Sequence, residues 1–374
     1  MFSLERQLLE SAGHQVVTYC RSNKEADELS RVGRLGLVKR IVWADDSRED
    51  LLELLRRERP QVVHIHNTFF MTSPSVYSAC QEADVPVVQT LHNYRLLCPG
   101  ATLYRDGAVC EDCLDHSLWH GVLHGCHRGS RLGTAAIAIM LDFHRRRGTW
   151  TEQVQCYIAL TEFARQKFIQ GGLPADRIRV KPNFVADPGP RSKTGDYALF
   201  VGRLSDEKGI LSLLEAWSRS RLSIPLRVIG DGPLRAQIEA RMGRNGLSAV
   251  SMVGRVPRET TLEAMKEARF LIFPSEWYEG FPMTIAEAFA CGLPVICSAL
   301  GSMSEIVDEG KNGLHFQAGD SEDLAKKVQW AWSHPEEMGE MGRQARAKYE
   351  AYYTPPRNYD TLMGIYEKTM RTTS

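Results

Sequence analysis

Net charge is missing from this chain: 46 Lys and Arg balance 46 Asp and Glu over 374 residues. Without a basic excess, no nucleic-acid partner is implied. Long apolar runs are missing too. None reaches the roughly 18 residues that a membrane-spanning helix needs. The opening MFSLERQLLESAGHQ lacks the positive start, apolar centre and small-residue cleavage site of an export signal, so a cytoplasmic location is expected. The nine Cys then read as reduced thiols or metal ligands rather than disulfides. No short repeat is present. What remains, 43% hydrophobic and 25% charged residues, is the composition of a globular protein, and the length suggests two domains.

The order of apolar runs sets the fold class. A helix is expected over 2–12, followed by strand HQVVTYC at 14–20, and a further short strand over 40–43. A helix over 51–57, a strand over 62–66, a helix over 74–83 and the strand VPVVQTLH continue the alternation. After a Cys- and His-rich loop at about 94–130 come a helix over 133–147, strand CYIALT, a helix over 162–170 and strand IRVKPN. Such alternation predicts a parallel sheet. Residues 185–196, VADPGPRSKTGD, have the Pro, Gly and charge content of a linker. A second alternating run follows, and residues 352–370 read as one last helix. The expected division is a first domain at 1–185, a second at 186–351, and a tail helix at 352–374. Ligands of such sheets sit beyond the strand C-termini. Normally a strand precedes the first helix, yet here the helix starts at residue 2, so the first domain is expected to lack its first strand.

The most informative stretch is FPSEWYEGFPMTIAEAFACGLPVICSALGSMSE at 273–305, with Glu279 and Glu287 separated by seven residues. A buried strand ends near Pro274. From about Thr284, helical spacing puts Ile285, Ala286, Ala288, Phe289 and Ala290 on an apolar face. Glu279 therefore precedes a helix N-terminus and Glu287 lies about one turn inside it. Unpaired N–H groups at such an end suit a diphosphate. Carboxylates would repel phosphate but accept hydrogen bonds from sugar hydroxyls, so the group described is a nucleotide-sugar. The bland alternative is a pair of solvated surface acids.

VGRLSDEKG at 201–209 follows a buried strand and opens a helix. Arg203 and Lys208 can grip one diphosphate, Arg as a fork and Lys as a point charge. Surface cations beside Asp206 and Glu207 are the alternative. Gly230 and Gly232 in VIGDGP mark a strand-to-helix turn. Arg255, at another strand end, can frame a nucleobase. In the first half, His92 and His66 end strands where a ligand would sit, His92 being the stronger candidate. The loop Asn93, Tyr94, Arg95 is polar enough to bind a ligand. Cys98, Cys110, Cys113 and Cys126 have a spacing that can close a structural zinc site; unlinked thiols are the alternative, and His116, His120, His124 and His127 are alternative ligands. The helix ending at His144–Arg147 is expected to bury its apolar face in the domain, with contact to an anionic membrane surface as the second reading.

These residues resemble a known family, the family 4 (group 1) retaining glycosyltransferases of the GT-B fold. The resemblance rests on Glu279 and Glu287 with GFP and EAFACGLPV around them, on VGRLSDEKG, and on TLHN at 90–93, TEF at 161–163 and KPNFV at 181–185. It implies an α/β protein with two Rossmann-like parallel-sheet domains facing across a cleft. It further implies that Gly202, Arg203 and Lys208 meet the donor diphosphate and Glu287 the ribose. Glu279, with Gly280, Phe281, Pro282, Met283 and Thr284, would hold the donor sugar, and His92 would approach it from the other domain. The chemistry would need no metal. The family's first strand and Gly-rich loop are not found in this sequence, and Ser302 follows Gly301 where a second Gly is frequent.

The expected activity is transfer of a sugar from a nucleoside diphosphate to a polysaccharide or lipid-linked glycan, with retention of configuration, by a protein in peripheral contact with a membrane. A catalytically silent, N-terminally truncated nucleotide-sugar-binding protein is the alternative.

Overall fold

The computed structural model describes residues 1–23, 36–193, 195–245 and 247–371. Its internal contacts divide the chain into two units. The first comprises Met1–Leu103, Cys110–Lys181 and Tyr359–Ser374; the second comprises Tyr104–Val109 and Pro182–Asn358.

In the first unit, β1 (Val63–Ile65) and β2 (Val87–Leu91) run parallel with Val63 opposite Val87. A small antiparallel hairpin, β3 (Tyr104–Arg105) and β4 (Ala108–Val109), interrupts the chain and groups with the second unit. β5 (Cys156–Ala159) and β6 (Ile178–Val180) complete a parallel sheet of order β1-β2-β5-β6. β2 is buried along its whole length, so Val-Val-Gln-Thr-Leu shows no polar alternation. The last helix of the chain, Pro355–Arg371, sets Leu362, Ile365 and Tyr366 against Val88, Cys156 and Ile158.

The second unit is a six-stranded parallel sheet: β7 (Ala198–Val201), β8 (Leu226–Ile229), β9 (Val250–Gly254), β10 (Phe270–Phe273), β11 (Val295–Ser298) and β12 (Gly313–Phe316), in the order β12-β11-β10-β7-β8-β9. Its core holds Trp217, Phe200, Phe270 and Phe316, all nearly without solvent contact. The order reverses between β7 and β10, and the chain leaving those two strands builds the candidate site.

Two expectations are corrected. Residues 14–20 form no strand. Val17 is exposed, and no described strand lies beside this segment to complete a ladder. Residues 40–43 are not a strand either, because Leu37–Val42 is helical. Tertiary contacts decide this: the Val42 carbonyl accepts from His144 Nε2 at 2.7 Å, and the Trp43 ring stacks on His144 with centroids 6.0 Å apart. The tail forms one helix, Pro355–Arg371, as expected, and the helix Pro335–Tyr352 before it went unforeseen; Tyr353 leaves the helical region between them, ahead of the Pro pair. β12 went unforeseen.

The helix Arg131–Arg146 buries Ala136, Ile137, Ala138, Met140 and Leu141 and leaves Leu132, Ile139 and Phe143 exposed. Among the described residues, no helix is long and apolar enough to cross a membrane.

Candidate active site

The site in the second unit is made where two loops touch. The chain after β7 turns through a 3₁₀ segment, Asp206–Lys208, and enters the helix Ile210–Arg219 through Gly209. Gly209 has φ +64, and a Cβ there would lie 1.8 Å from the Pro274 carbonyl oxygen, so only glycine permits the approach. The Glu276 amide donates to the Glu207 carbonyl at 2.9 Å, tying the β10 loop to the β7 loop.

That junction brings Lys208 and Glu279 together. Lys208 Nζ donates to Glu279 Oε1 at 2.6 Å, and Ser275 Oγ donates to the same oxygen at 2.7 Å. The carboxylate is only 6% exposed. The Lys208 ammonium also stands 5.0 Å from the centre of the Trp277 ring. Burial would disfavour both charges; the pairing and the Ser275 hydroxyl offset it.

The helix Met283–Ala290 begins just beyond, capped at Pro282, and buries Ile285, Ala286, Ala288 and Phe289. Pro282, Met283 and Thr284 form its first turn, where backbone N–H groups lack helical partners. Gly280 accepts at its carbonyl from Ser302 Oγ at 3.5 Å. Phe281 is buried with its ring 5.6 Å from that of Tyr353, so it can offer a ligand its backbone rather than its ring. Glu287 lies on the less buried face and accepts from Arg258 Nε at 3.0 Å. Burial raises its carboxyl above the usual range, and Arg258 works against that rise.

Arg203 is exposed at the end of β7, and its guanidinium has no partner among the described residues. Gly202 precedes it, and Gly230 (φ +147) comes so close that a Cβ would sit 1.8 Å from the Gly202 oxygen. Arg255 follows β9 and is exposed. Ser275, Trp277 and Arg258 are the residues that sequence reasoning missed. Ser275 and Trp277 stood in the singled-out stretch without an assigned role. Arg258 pairs across 29 positions, which no local pattern reports. A larger cavity of about 520 Å³ beside β12, lined by Glu309, His315 and Lys327, contains none of these residues.

In the first unit, β1 and β2 end at a column of imidazoles. His66 and His92 share a hydrogen bond of 2.8 Å. His66 Nε2 faces Glu5 Oε2 at 3.4 Å, and Glu5 Oε1 accepts from Lys181 Nζ at 2.5 Å, with Glu5 3% and Lys181 1% exposed. His64 is held by Tyr366 Oη and Thr90 Oγ1, both at 2.7 Å. Burial pushes His92 down to about 4, the neighbouring His66 adding to the effect, so its imidazole is neutral near pH 7. Burial also lowers Lys181, and Glu5 opposes that shift. Donor atoms of Glu5, His64 and His66 lie within 4.8 Å of one another. They make a poor metal site, because both His64 nitrogens are taken and an ammonium already occupies Glu5.

Cys98, Cys110, Cys113 and Cys126 form no disulfide. Cys98, Cys113 and Cys126 border Gly100 and Gly121. A Cβ on Gly100 would lie 3.5 Å from Cys98 Sγ and 3.4 Å from Cys126 Cβ, and one on Gly121 would lie 3.3 Å from Cys113 Sγ. Burial pushes the Cys113 thiol up to about 12, and the other three add to the rise.

Residues 2–187 match the model of Glycosyltransferase Family 4, and residues 186–348 match that of Glycosyl transferases group 1. An uncharacterized glycosyltransferase of Methanocaldococcus jannaschii is 34% identical over 160 residues, covering 41% of this chain and 45% of the relative. O-antigen chain mannosyltransferase C of Escherichia coli is 28% identical over 187 residues, covering 49% and 50%. The chain thus spans about half the length of these curated relatives. The crystal structure of Anabaena HepE in complex with UDP superposes with a TM-score of 0.66 at 18% identity, covering 86% of this chain and 82% of that one, a likeness of fold. The two matched segments leave little of the chain outside them, its sheets are those of GT-B enzymes, and the protein belongs to the family 4, group 1 glycosyltransferases.

Proposed function

We propose that this protein transfers a sugar, with retention of anomeric configuration, from a nucleoside-diphosphate sugar to a growing polysaccharide or a lipid-linked glycan. The observation that carries the reading is the Lys208–Glu279 contact of 2.6 Å beside the first turn of the helix Met283–Ala290. A donor diphosphate offers Lys208 a stronger partner than a single carboxylate. Arg203, free at the strand end, supplies the forked second contact. Once Lys208 turns to phosphate, Glu279 is released to accept hydrogen bonds from sugar hydroxyls. Glu287, held by Arg258, accepts from the ribose.

In the step itself, the bond from the anomeric carbon to the diphosphate oxygen breaks. The acceptor oxygen forms its bond on the same face. The acceptor proton passes to the departing phosphate oxygen. Arg203 and Lys208 stabilise the charge that develops there. His92, neutral at physiological pH, can hydrogen-bond a sugar hydroxyl without adding charge. Cys98, Cys110, Cys113 and Cys126 would hold any zinc in a structural role outside the chemistry, since four thiolates would close its coordination sphere. Leu132, Ile139 and Phe143, with Arg131, Arg145 and Arg146, offer a face for peripheral membrane contact.

The test is a panel of nucleoside diphosphates against thermal unfolding, followed by transfer assays with the matching sugars. A ligand at a hundred times its Kd adds about 2.7 kcal/mol. Stabilisation by one nucleotide, with turnover of its sugar and an NMR-assigned retained anomer, supports the reading. An inverted product would overturn the retaining assignment, and stabilisation without turnover on any acceptor would favour a silent binding protein. Zinc content by emission spectroscopy should be one ion per chain, falling in a Cys110→Ser, Cys113→Ser variant.

A further inference from the structure

The first unit contains a second polar cavity, of about 370 Å³, that the donor chemistry does not use. It is lined by Asn67, Phe69, Asn93, Arg95, His127 and Arg128. Two arginines and a histidine face it, and among the described residues no carboxylate lines it. Among the described residues, neither Arg95 nor Arg128 has an acidic partner. Arg95 is the more revealing of the two. Its guanidinium lies 4.3 Å from the centre of the Phe69 ring and donates to the Pro99 carbonyl, which fixes its plane but leaves its charge unanswered. The Cys98 sulfur and Arg128 are both within electrostatic reach of Arg95. Two like charges with no carboxylate partner among the described residues, one of them largely withdrawn from water, are unfavourable unless a ligand completes them.

The backbone around the cavity is set for this. The Asn67 side chain accepts from the Phe69 amide at 2.9 Å, and the Asn93 side chain accepts from the Arg95 amide at 3.0 Å. Asn67 Nδ2 also donates to the Phe69 carbonyl at 3.3 Å, so Asn67 holds its loop, while the Asn93 carboxamide can present N–H groups to a ligand. Arginine forks with amide donors around them match the oxygens of phosphate.

We propose that this cavity binds a phosphate-type anion, the phosphate or diphosphate carried by the sugar acceptor. Its identity as the acceptor group rests on the transfer reading above; the anion site does not. Phe69, its ring beneath Arg95, supplies an apolar wall for whatever follows the phosphate.

The test uses the full chain and inorganic pyrophosphate, measured by calorimetry. Because the donor site also takes pyrophosphate, the background is the Arg203→Ala, Lys208→Ala variant, which should retain one site. Adding Arg95→Gln and Arg128→Gln should weaken that site at least tenfold, with the melting temperature and circular dichroism unchanged. If Arg95→Gln fails to fold, Arg128→Gln alone, at an exposed position, should weaken binding several-fold and flatten its salt dependence. Unchanged pyrophosphate affinity in these variants would overturn the site. Neutral phosphatidylcholine vesicles, with and without a polyprenyl diphosphate, distinguish the sources. Retention on doped vesicles alone, lost with Arg95→Gln, supports a lipid-borne phosphate; competition only by soluble pyrophosphate supports a free one. If no nucleoside diphosphate binds the wild-type chain while this site persists, the transfer reading fails and the anion site stands.

Discussion

The two units end their central strands in opposite electrostatic states. In the second, β7 and β10 lead to a formal ion pair, Lys208 with Glu279, and β7 also leads to Arg203, whose guanidinium has no partner among the described residues. In the first, β1 and β2 lead to imidazoles that burial keeps neutral, beneath which Glu5 and Lys181 are sealed from solvent. The same strand-to-loop geometry thus supports a site ready to exchange partners in one case and a locked polar core in the other. Solvent access makes the difference. Lys208 keeps 21% of its side chain exposed, enough to leave its carboxylate for a better anion, whereas Lys181 keeps 1%.

The sharpest way to break that contrast is Lys181→Met. It strands the Glu5 carboxylate in a buried site, at a cost of about 3–5 kcal/mol. Chemical denaturation should show the first unit unfolding early, while fluorescence from Trp217 in the second unit changes later. Coincident transitions at the wild-type midpoint would mean the buried pair contributes little. Lys208→Ala comes next. It should lower turnover by about 10²–10³-fold, the size seen when one stabilising donor is removed, and lower the melting temperature less than Lys181→Met does, because Ser275 still donates to Glu279. Glu279→Ala should do the same through the sugar. Wild-type turnover in either would remove these residues from the site.

Acid should act on the first unit before the second. His92 is held neutral down to about pH 4, whereas in the unfolded chain it takes up a proton in the ordinary imidazole range. The unfolded state therefore binds more protons between those limits. The stabilisation is complete above the ordinary range and falls away as pH drops toward 4, by up to about 3 kcal/mol for this group. His64 and His66 are lowered in the same direction. A His92→Asn variant should flatten the decline; an unchanged slope in urea midpoints between pH 7 and 4.5 would argue against it. The smallest effect expected is that of Arg258→Ala. Its side chain is 49% exposed, so the pair with Glu287 adds at most about 1 kcal/mol of stability. Its mark should be on nucleotide affinity instead.

What the sequence disclosed about this contrast was unequal. Lys208, Glu279 and Glu287 were each legible as residues at a strand end or helix start, because strand, loop and helix succeed one another within a few residues; the contact of Lys208 with Glu279, 71 positions apart, needs β7 beside β10. The imidazole column was only half legible. His66 and His92 each stood at a strand end, but their mutual bond depends on β1 and β2 lying side by side, 26 positions apart in the chain. Glu5 and Lys181 were invisible, since a pair 176 positions apart leaves no local trace. The misread strand at 40–43 shows the same limit. Arg-Ile-Val-Trp has strand propensity, yet His144 supplies contacts that hold the segment helical. Residues 14–20 carry the β-branched and aromatic residues of a strand, but propensity creates no neighbour to pair with.

The helix Pro355–Arg371 has a consequence for biosynthesis. Leu362, Ile365 and Tyr366 close over Val88, Cys156 and Ile158, so the earlier half of the polypeptide borrows part of its interior from a segment synthesised only after the later half. The later half can reach its native state as it emerges, while the earlier half must wait with an open apolar surface. A nascent chain halted before Leu362 should therefore carry a folded later half and an earlier half that holdase chaperones retain.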